Sequence, residues 1–246
     1  MSQATFRFYA ELNDFLPRAR RGVAFQHVFS GRPSVKDAIE SLGVPHGEVD
    51  LVLVDDESVD LAAPVFDGAR VSVFPMFESI DIATICRVRA EPLREPCFVL
   101  DVHLGRLAAY LRMAGFDTTW RNDHGDEDLA RISHEQRRAL LTRDRGLLKR
   151  SVLTHGYWVR SIQPREQFLE IVRRFDLFRS ISPFSRCLRC NQPLHPVDKA
   201  RIECQLPPRV REREVEFKTC PSCHRIYWKG THYQRMRELI SEAVPR

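Results

Sequence analysis

The sequence predicts an α/β chain in three parts: residues 1–80, 97–182 and 183–246. Three observations carry this. Strand signals surround one short helix before residue 80, strands and helices alternate between 97 and 182, and two Cys-x-x-Cys pairs stand in the last part. A length of 246 residues gives a prior of about one to three domains.

In the first part, Thr5-Phe6-Arg7-Phe8-Tyr9 alternates apolar and polar residues, and Val23 to Phe29 reads as a second strand. Ser34 can cap a helix with Asp37 at its third position. Val35, Ala38, Ile39 and Leu42 form that helix's apolar stripe, and Gly43 ends it. Strands follow at Leu51–Val54 and Val71–Phe74. Strand, strand, helix, strand, strand in so short a span is the order of a β-grasp, the ubiquitin-like fold. Residues 81–96 mix arginine, glutamate and proline and read as a linker, with a short strand near Ile82.

The second part opens with the apolar run Cys97–Leu100, which ends at Asp101. Leu104, Leu107, Ala108 and Leu111 then recur at helical spacing up to Gly115. Strands are expected at Phe116–Trp120, Ala139–Thr142 and Tyr157–Val159. Helices are expected from Asp126, from Leu147 and from Pro164, the last bearing Phe168, Leu169, Val172 and Phe175. Such alternation predicts a parallel sheet with helices on both faces.

Composition narrows the function classes. Apolar residues at 43% and charged residues at 29% exclude wholesale disorder and collagen-like fibres. No apolar run approaches the roughly 18 residues of a membrane span. The first residues show no basic segment leading into an apolar core, so no secretory signal is expected. With that start, seven cysteines suggest reduced thiols or a metal site in the cytoplasm rather than a disulfide framework. Charge is uneven: net −5 over residues 1–80, +4 over 81–182 and +6 over 183–246. The basic end could meet a polyanion, but on charge alone a solvated surface is the favoured reading.

Cys187 and Cys190 pair with Cys220 and Cys223 across 29 intervening residues. Two knuckles can supply a closed four-sulfur shell, which implies a structural zinc. His195 and His224 stand near enough to replace a cysteine, whereas Cys86, Cys97 and Cys204 lack partner spacing. Arg209 to Lys218 is expected as a strand, placing Arg209, Arg211 and Arg213 on one face. With Tyr227, Trp228 and Tyr233 these arginines either meet nucleic acid or pair with Glu212 and Glu214 while the rings cover the knuckle.

Asp101 and Asp144 each follow an apolar strand run, and Asp126, Glu127 and Asp128 open a helix. Ligands of open parallel sheets bind outside the carboxyl ends of the strands. Carboxylates gathered there would suit magnesium or manganese. Each acid can also be a helix cap. No dinucleotide fingerprint, phosphate-binding loop or serine-hydrolase elbow is found.

The run from Asp101 to Asp117, then Asp126-Glu127, then Leu140-Leu141-Thr142-Arg143-Asp144, resembles the Mut-seven C-terminal ribonuclease family. The resemblance continues through Arg186–Asn191 and Cys220–His232, which look like that family's zinc ribbon. Residues 1–80 look like the ubiquitin-like domain carried in front by many members. That domain is similar to sulfur carriers ending in Gly-Gly, but here Phe74-Pro75-Met76 occupies the place and the chain continues. The resemblance implies a PIN-like core, metal-binding acids at Asp101, Asp126 and Asp144, and Glu127 or Asp128 as a fourth. The implied activity is metal-dependent ribonuclease, with RNA as substrate. The competing expectations are a non-catalytic RNA-binding module and an adaptor whose β-grasp domain docks a protein partner.

Overall fold

The computed structural model describes residues 1–75, 86–88 and 96–243. Its first strands are β1 (Ser2–Phe8) and β2 (Phe25–Phe29), followed by helix α1 (Val35–Ser41) and strands β3 (Val49–Val54), β4 (Glu57–Val59) and β5 (Arg70–Pro75). Then come β6 (Phe98–Leu100), α2 (Gly105–Met113), β7 (Thr118–Thr119), α3 (Asp126–Glu135), β8 (Ala139–Thr142), β9 (Gly156–Trp158) and α4 (Pro164–Arg174). The last elements are β10 (His195–Pro196), α5 (Lys199–Ile202), α6 (Pro208–Arg213), β11 (Phe217–Thr219), β12 (Ile226–Trp228) and α7 (Thr231–Ala243). Two compact units result, Met1–Glu95 with Asp126–Trp158, and Pro96–Gly125 with Val159–Arg246.

In the first unit the five strands run β2-β1-β5-β3-β4, with β1 and β5 parallel at the centre. This is the β-grasp order. The alternation of β1 buries Ala4, Phe6 and Phe8, and these meet Val35 and Ile39 of α1 and Val52 and Val73 of the sheet. Burying each large side chain of this kind contributes roughly 1.5–3 kcal/mol. Ser34 caps α1: its Oγ accepts the Asp37 amide at 3.1 Å and donates to the Asp37 carboxylate at 2.7 Å. Gly43 ends the helix turn at φ +95°, a conformation glycine adopts freely.

The same unit contains α3, β8 and β9. Strands β8 and β9 pair in parallel, and every residue of β8 is buried. Trp158 packs against the β-grasp core, its ring 5.3 Å from that of Phe15. The turn Pro45–Glu48 adds polar ties. His46 Nε2 lies 3.1 Å from the Leu153 carbonyl, and the buried Glu48 carboxylate accepts the Trp158 amide. A Cβ on Gly47 would stand 2.9 Å from the Leu153 side chain and 3.1 Å from the Leu148 carbonyl, so the close approach needs glycine.

In the second unit β6 and β7 are parallel, and α2 turns Leu107, Ala108 and Leu111 fully inward. Phe98 meets Phe116 and Phe175 edge to face. Helix α4 begins with Pro164 at its first turn, as expected of a residue that lacks an amide proton. A Cβ on Gly115, which sits at φ +102°, would stand 2.3 Å from the Ser182 carbonyl oxygen. Strands β10, β11 and β12 form an antiparallel ribbon.

The structure corrects two expected elements. Residues 209–218 are not one strand: Pro208 opens helix α6, and the strand there is Phe217–Thr219. The Pro207-Pro208 step fixes φ for a helix start, so the stretch between the knuckles is not filled by strand alone. At Leu147 a single 3-10 turn, Leu147–Lys149, replaces a helix. The strand expected near Ile82, and most of the linker with it, lies outside the described residues.

His46 makes the first unit sensitive to acid. Burial lowers its pKa from the ordinary 6.5, with Lys36 adding to the lowering and Glu40 opposing it. A histidine harder to protonate when folded stabilises the fold above the unfolded pKa and loses that contribution as pH falls below about 6.5. The urea midpoint should therefore fall between pH 7 and pH 5.5, and His46→Gln should reduce that dependence. Equal slopes for the two proteins would count against this assignment.

Candidate functional site

Each cysteine knuckle is a tight turn built the same way. In the first, the Asn191 amide donates to the Cys187 carbonyl at 3.0 Å and the Cys187 amide to the Gln192 carbonyl at 2.8 Å. In the second, His224 donates to Cys220 at 2.9 Å and Cys220 to Arg225 at 3.0 Å. Asn191 and His224 take the left-handed conformation at φ +63° and +56°.

The turns bring four sulfurs together. Cys187, Cys190, Cys220 and Cys223 place their Sγ atoms within 4.8 Å of one another. Neighbouring sulfurs are 3.3 Å (Cys190–Cys220), 3.4 Å (Cys187–Cys190) and 3.6 Å (Cys187–Cys223) apart. A tetrahedral zinc with bonds of about 2.3 Å sets sulfur separations of about 3.8 Å, so the donor set fits that ion with little adjustment. Burial works against the Cys187 thiolate. The Cys190 amide, the Tyr227 hydroxyl and the Cys190 thiol nevertheless donate to its sulfur, and its pKa comes down to about 6. Burial and the hydrogen bonds to Cys187 push Cys190 up to about 12. Neither His195 nor His224 joins the cluster; both are exposed.

Arg112, Arg186 and Asn191 support the first knuckle. Arg112 is 5% exposed and donates to the carbonyls of Thr118, Leu188 and Arg189. Asn191 accepts the Thr118 amide at 3.0 Å and donates to Asp117 at 2.8 Å, while Arg186 pairs with the other Asp117 oxygen at 3.3 Å. Sequence reasoning missed all three. For Arg112 the available signal was its position four residues after Ala108, on the inward stripe of α2.

The aromatic residues of the ribbon are packed. The Tyr227 hydroxyl lies 3.1 Å from Cys187 Sγ and accepts the Leu188 amide. Trp228 packs with Phe217, and Tyr233 meets Phe184 edge to face. Arg209, Arg211 and Arg213 are exposed, and among the described residues they make no ion pair, with Glu212, Glu214 or any other acid. On helix α6, Arg209 and Arg213 share a side and Arg211 faces away, contrary to the single face expected of a strand.

The candidate acids occupy turns at the ends of elements. In the second unit, buried Asp101 follows β6. Its Oδ1 accepts the Val102 amide at 2.6 Å and its Oδ2 lies 3.2 Å from His103 Nε2. In the first unit, Asp144 follows β8 and is exposed. Its amide donates to Thr142 Oγ1 at 2.9 Å, and its Oδ1 accepts the Gly146 amide at 2.7 Å. Asp126 starts α3 and meets Arg150 at 3.4 Å. Asp128 is taken up by Arg131 at 2.9 Å, whereas Glu127 makes no such bond among the described residues. All are hard oxygen donors of the kind a divalent cation takes. Among the described residues the four cysteines are the one group of three or more His, Cys, Asp or Glu side chains with ligand atoms within 4.8 Å.

Replacing Cys220 with serine should lower bound zinc below one per chain and loosen the ribbon, because metal binding of this kind is coupled to folding. Zinc content by elemental analysis checks it. Full occupancy in a Cys220→Ser, Cys223→Ser double variant would contradict the assignment.

Among the described residues, no helix is long and apolar enough to cross a membrane. No curated protein matches the chain. Among solved structures, small archaeal modifier protein 1 of H. volcanii aligns with 31% of this chain and 100% of its own, at 17% identity and a TM-score of 0.26. The family model for the Mut7-C ubiquitin domain matches residues 1–81, and that for the Mut7-C RNAse domain matches residues 96–240. Parallel strand pairs and a cysteine cluster lie within the second span, and a β-grasp sheet within the first. The chain therefore belongs to the Mut7-C RNAse domain family, with a Mut7-C ubiquitin-like domain in front.

Proposed function

We propose that the chain is a metal-dependent ribonuclease that hydrolyses RNA phosphodiesters, with domains at 1–80, 97–182 and 183–246. Asp101, Asp126 and Asp144 would hold magnesium or manganese, with Glu127 as the fourth acid because Asp128 is occupied by Arg131. The observation that carries this reading is that Asp101 follows β6, which runs parallel to β7, and Asp144 follows β8, which runs parallel to β9, in a chain of a ribonuclease-domain family. A divalent cation held there would supply Lewis acidity toward the phosphate and a more acidic water.

The residues themselves orient the site. Thr142 fixes the backbone of Asp144, and the Gly146 amide fixes one carboxylate oxygen. Arg150 beside Asp126 offers a guanidinium to a phosphate oxygen. The four thiolates would hold a structural zinc, since a closed shell leaves no position for water or substrate. The unpaired arginines of α6 and the net +6 of residues 183–246 support RNA as the polyanion met. Seven cysteines without a disulfide among them support a reducing compartment, the cytoplasm.

The local turn bonds of Asp101 and Asp144 keep a second reading in view, in which the acids only cap and the chain binds RNA without cutting it. Asp144→Asn separates the two. Asparagine caps about as well as aspartate, so the melting temperature should barely change. Cleavage of labelled single-stranded RNA with manganese should fall roughly a hundredfold to a thousandfold. It should also stop with chelator while zinc stays bound. Wild-type cleavage in both Asp144→Asn and Asp101→Asn would overturn the nuclease assignment of these residues.

A further inference from the structure

The structure assigns Trp158 as a positioning residue for the turn that carries Asp144, held in turn by Glu48 and Phe15 of the β-grasp sheet; the catalytic part of this inference rests on the proposed ribonuclease reading. Trp158 reaches both neighbours of Asp144. Its indole N–H donates to the Arg143 carbonyl at 3.3 Å, and the Arg145 guanidinium lies 3.8 Å from the centre of its ring. The β-grasp side then fixes Trp158 by two contacts. The carboxylate of Glu48, 2% exposed, accepts its amide, and the Phe15 ring lies 5.3 Å from the indole and 5.2 Å from the Arg145 guanidinium. Arg145 is thus gripped by one ring from each side of the contact.

The far end of the segment is held in the same manner. Lys149 Nζ donates to the Glu40 carbonyl at 3.2 Å, and His46 faces the Leu153 carbonyl. Between these ties stands Arg150, which meets Asp126. Two candidate metal ligands therefore depend on a segment whose position is set more than 90 residues away in the chain. A buried hydrogen bond and two cation–π contacts are strong enough to choose one arrangement of an exposed turn. Displacing a reacting group by about 1 Å can cost roughly a hundredfold in rate. On this account the ubiquitin-like domain is a working part of the nuclease, because it sets the geometry of an acid it does not itself contain.

The test uses the full chain with Trp158→Phe, which keeps an aromatic ring and removes the indole N–H, and with Glu48→Ala and Glu48→Gln. Two quantities are read: amide hydrogen exchange over residues 143–147, and kcat and KM for manganese-dependent cleavage of labelled RNA. Exchange should quicken roughly tenfold in Trp158→Phe and Glu48→Ala, as loss of such a hydrogen bond allows. The kcat should fall with KM unchanged, because the turn orients an acid rather than grips RNA. Glu48→Gln keeps an acceptor and should recover part of both. Wild-type exchange in Trp158→Phe and Glu48→Ala overturns the proposal, as does faster exchange with undiminished kcat. If Glu48→Ala fails to fold, Trp158→Phe decides alone. Faster exchange in the variants of a chain whose wild type cuts no RNA would defeat the nuclease reading while supporting the structural assignment.

Discussion

Four cysteine sulfurs held within 4.8 Å of one another set the terms for the C-terminal part of this chain. Ionised sulfurs at that spacing repel, and a soft divalent cation is the usual remedy. Residues 183–246 are too few to build a large core, and the apolar clusters found there are small, centred on Cys187, Leu194 and Cys220 and on Ile202, Leu206 and Phe217. The knuckles therefore lean on their own unit. Arg112 ties the first to helix α2, and Asn191 and Arg186 tie it to Asp117 and Thr118 beside β7. Buried arginine is tolerated there because carbonyl oxygens satisfy its donors.

The first unit answers a different constraint. Its β-grasp core is conventional in order, but the Pro45–Glu48 turn is polar and buried, and its groups find partners on the segment 148–158. Left alone, His46 and Glu48 would be costly buried groups; paired across more than 100 residues of sequence, they fix one packing. The contact also explains why Gly47 has no side chain and why Trp158 belongs to the same apolar cluster as Phe8 and Val52.

Much of this was legible from residues near one another in sequence. The alternation of β1, the Ser34 cap and the spacing of the two knuckles are local patterns with local physical causes, and each is found where expected. The acids after β6 and β8 were legible as positions, since strands end where apolar runs end. What was hidden is non-local. Nothing about Glu48 or Phe15 in sequence points to Trp158, and the carbonyl partners of Arg112 come from residues 118, 188 and 189, two of them more than 70 residues away. The strand expected over 209–218 fails for a local reason: the Pro207-Pro208 pair starts helix α6 inside the stretch that a ribbon of strands would fill.

The proposed nuclease reading asks each of Asp101, Asp126 and Asp144 to serve as a ligand of a hard cation. Manganese binding to the zinc-loaded full chain, followed by electron paramagnetic resonance, tests it without reference to any substrate. The account predicts that free manganese is taken up by the wild type, and that uptake is weakened by more than about tenfold when any one of the three acids becomes asparagine, as the loss of one charged ligand implies. Uptake at wild-type strength in all three variants would contradict it.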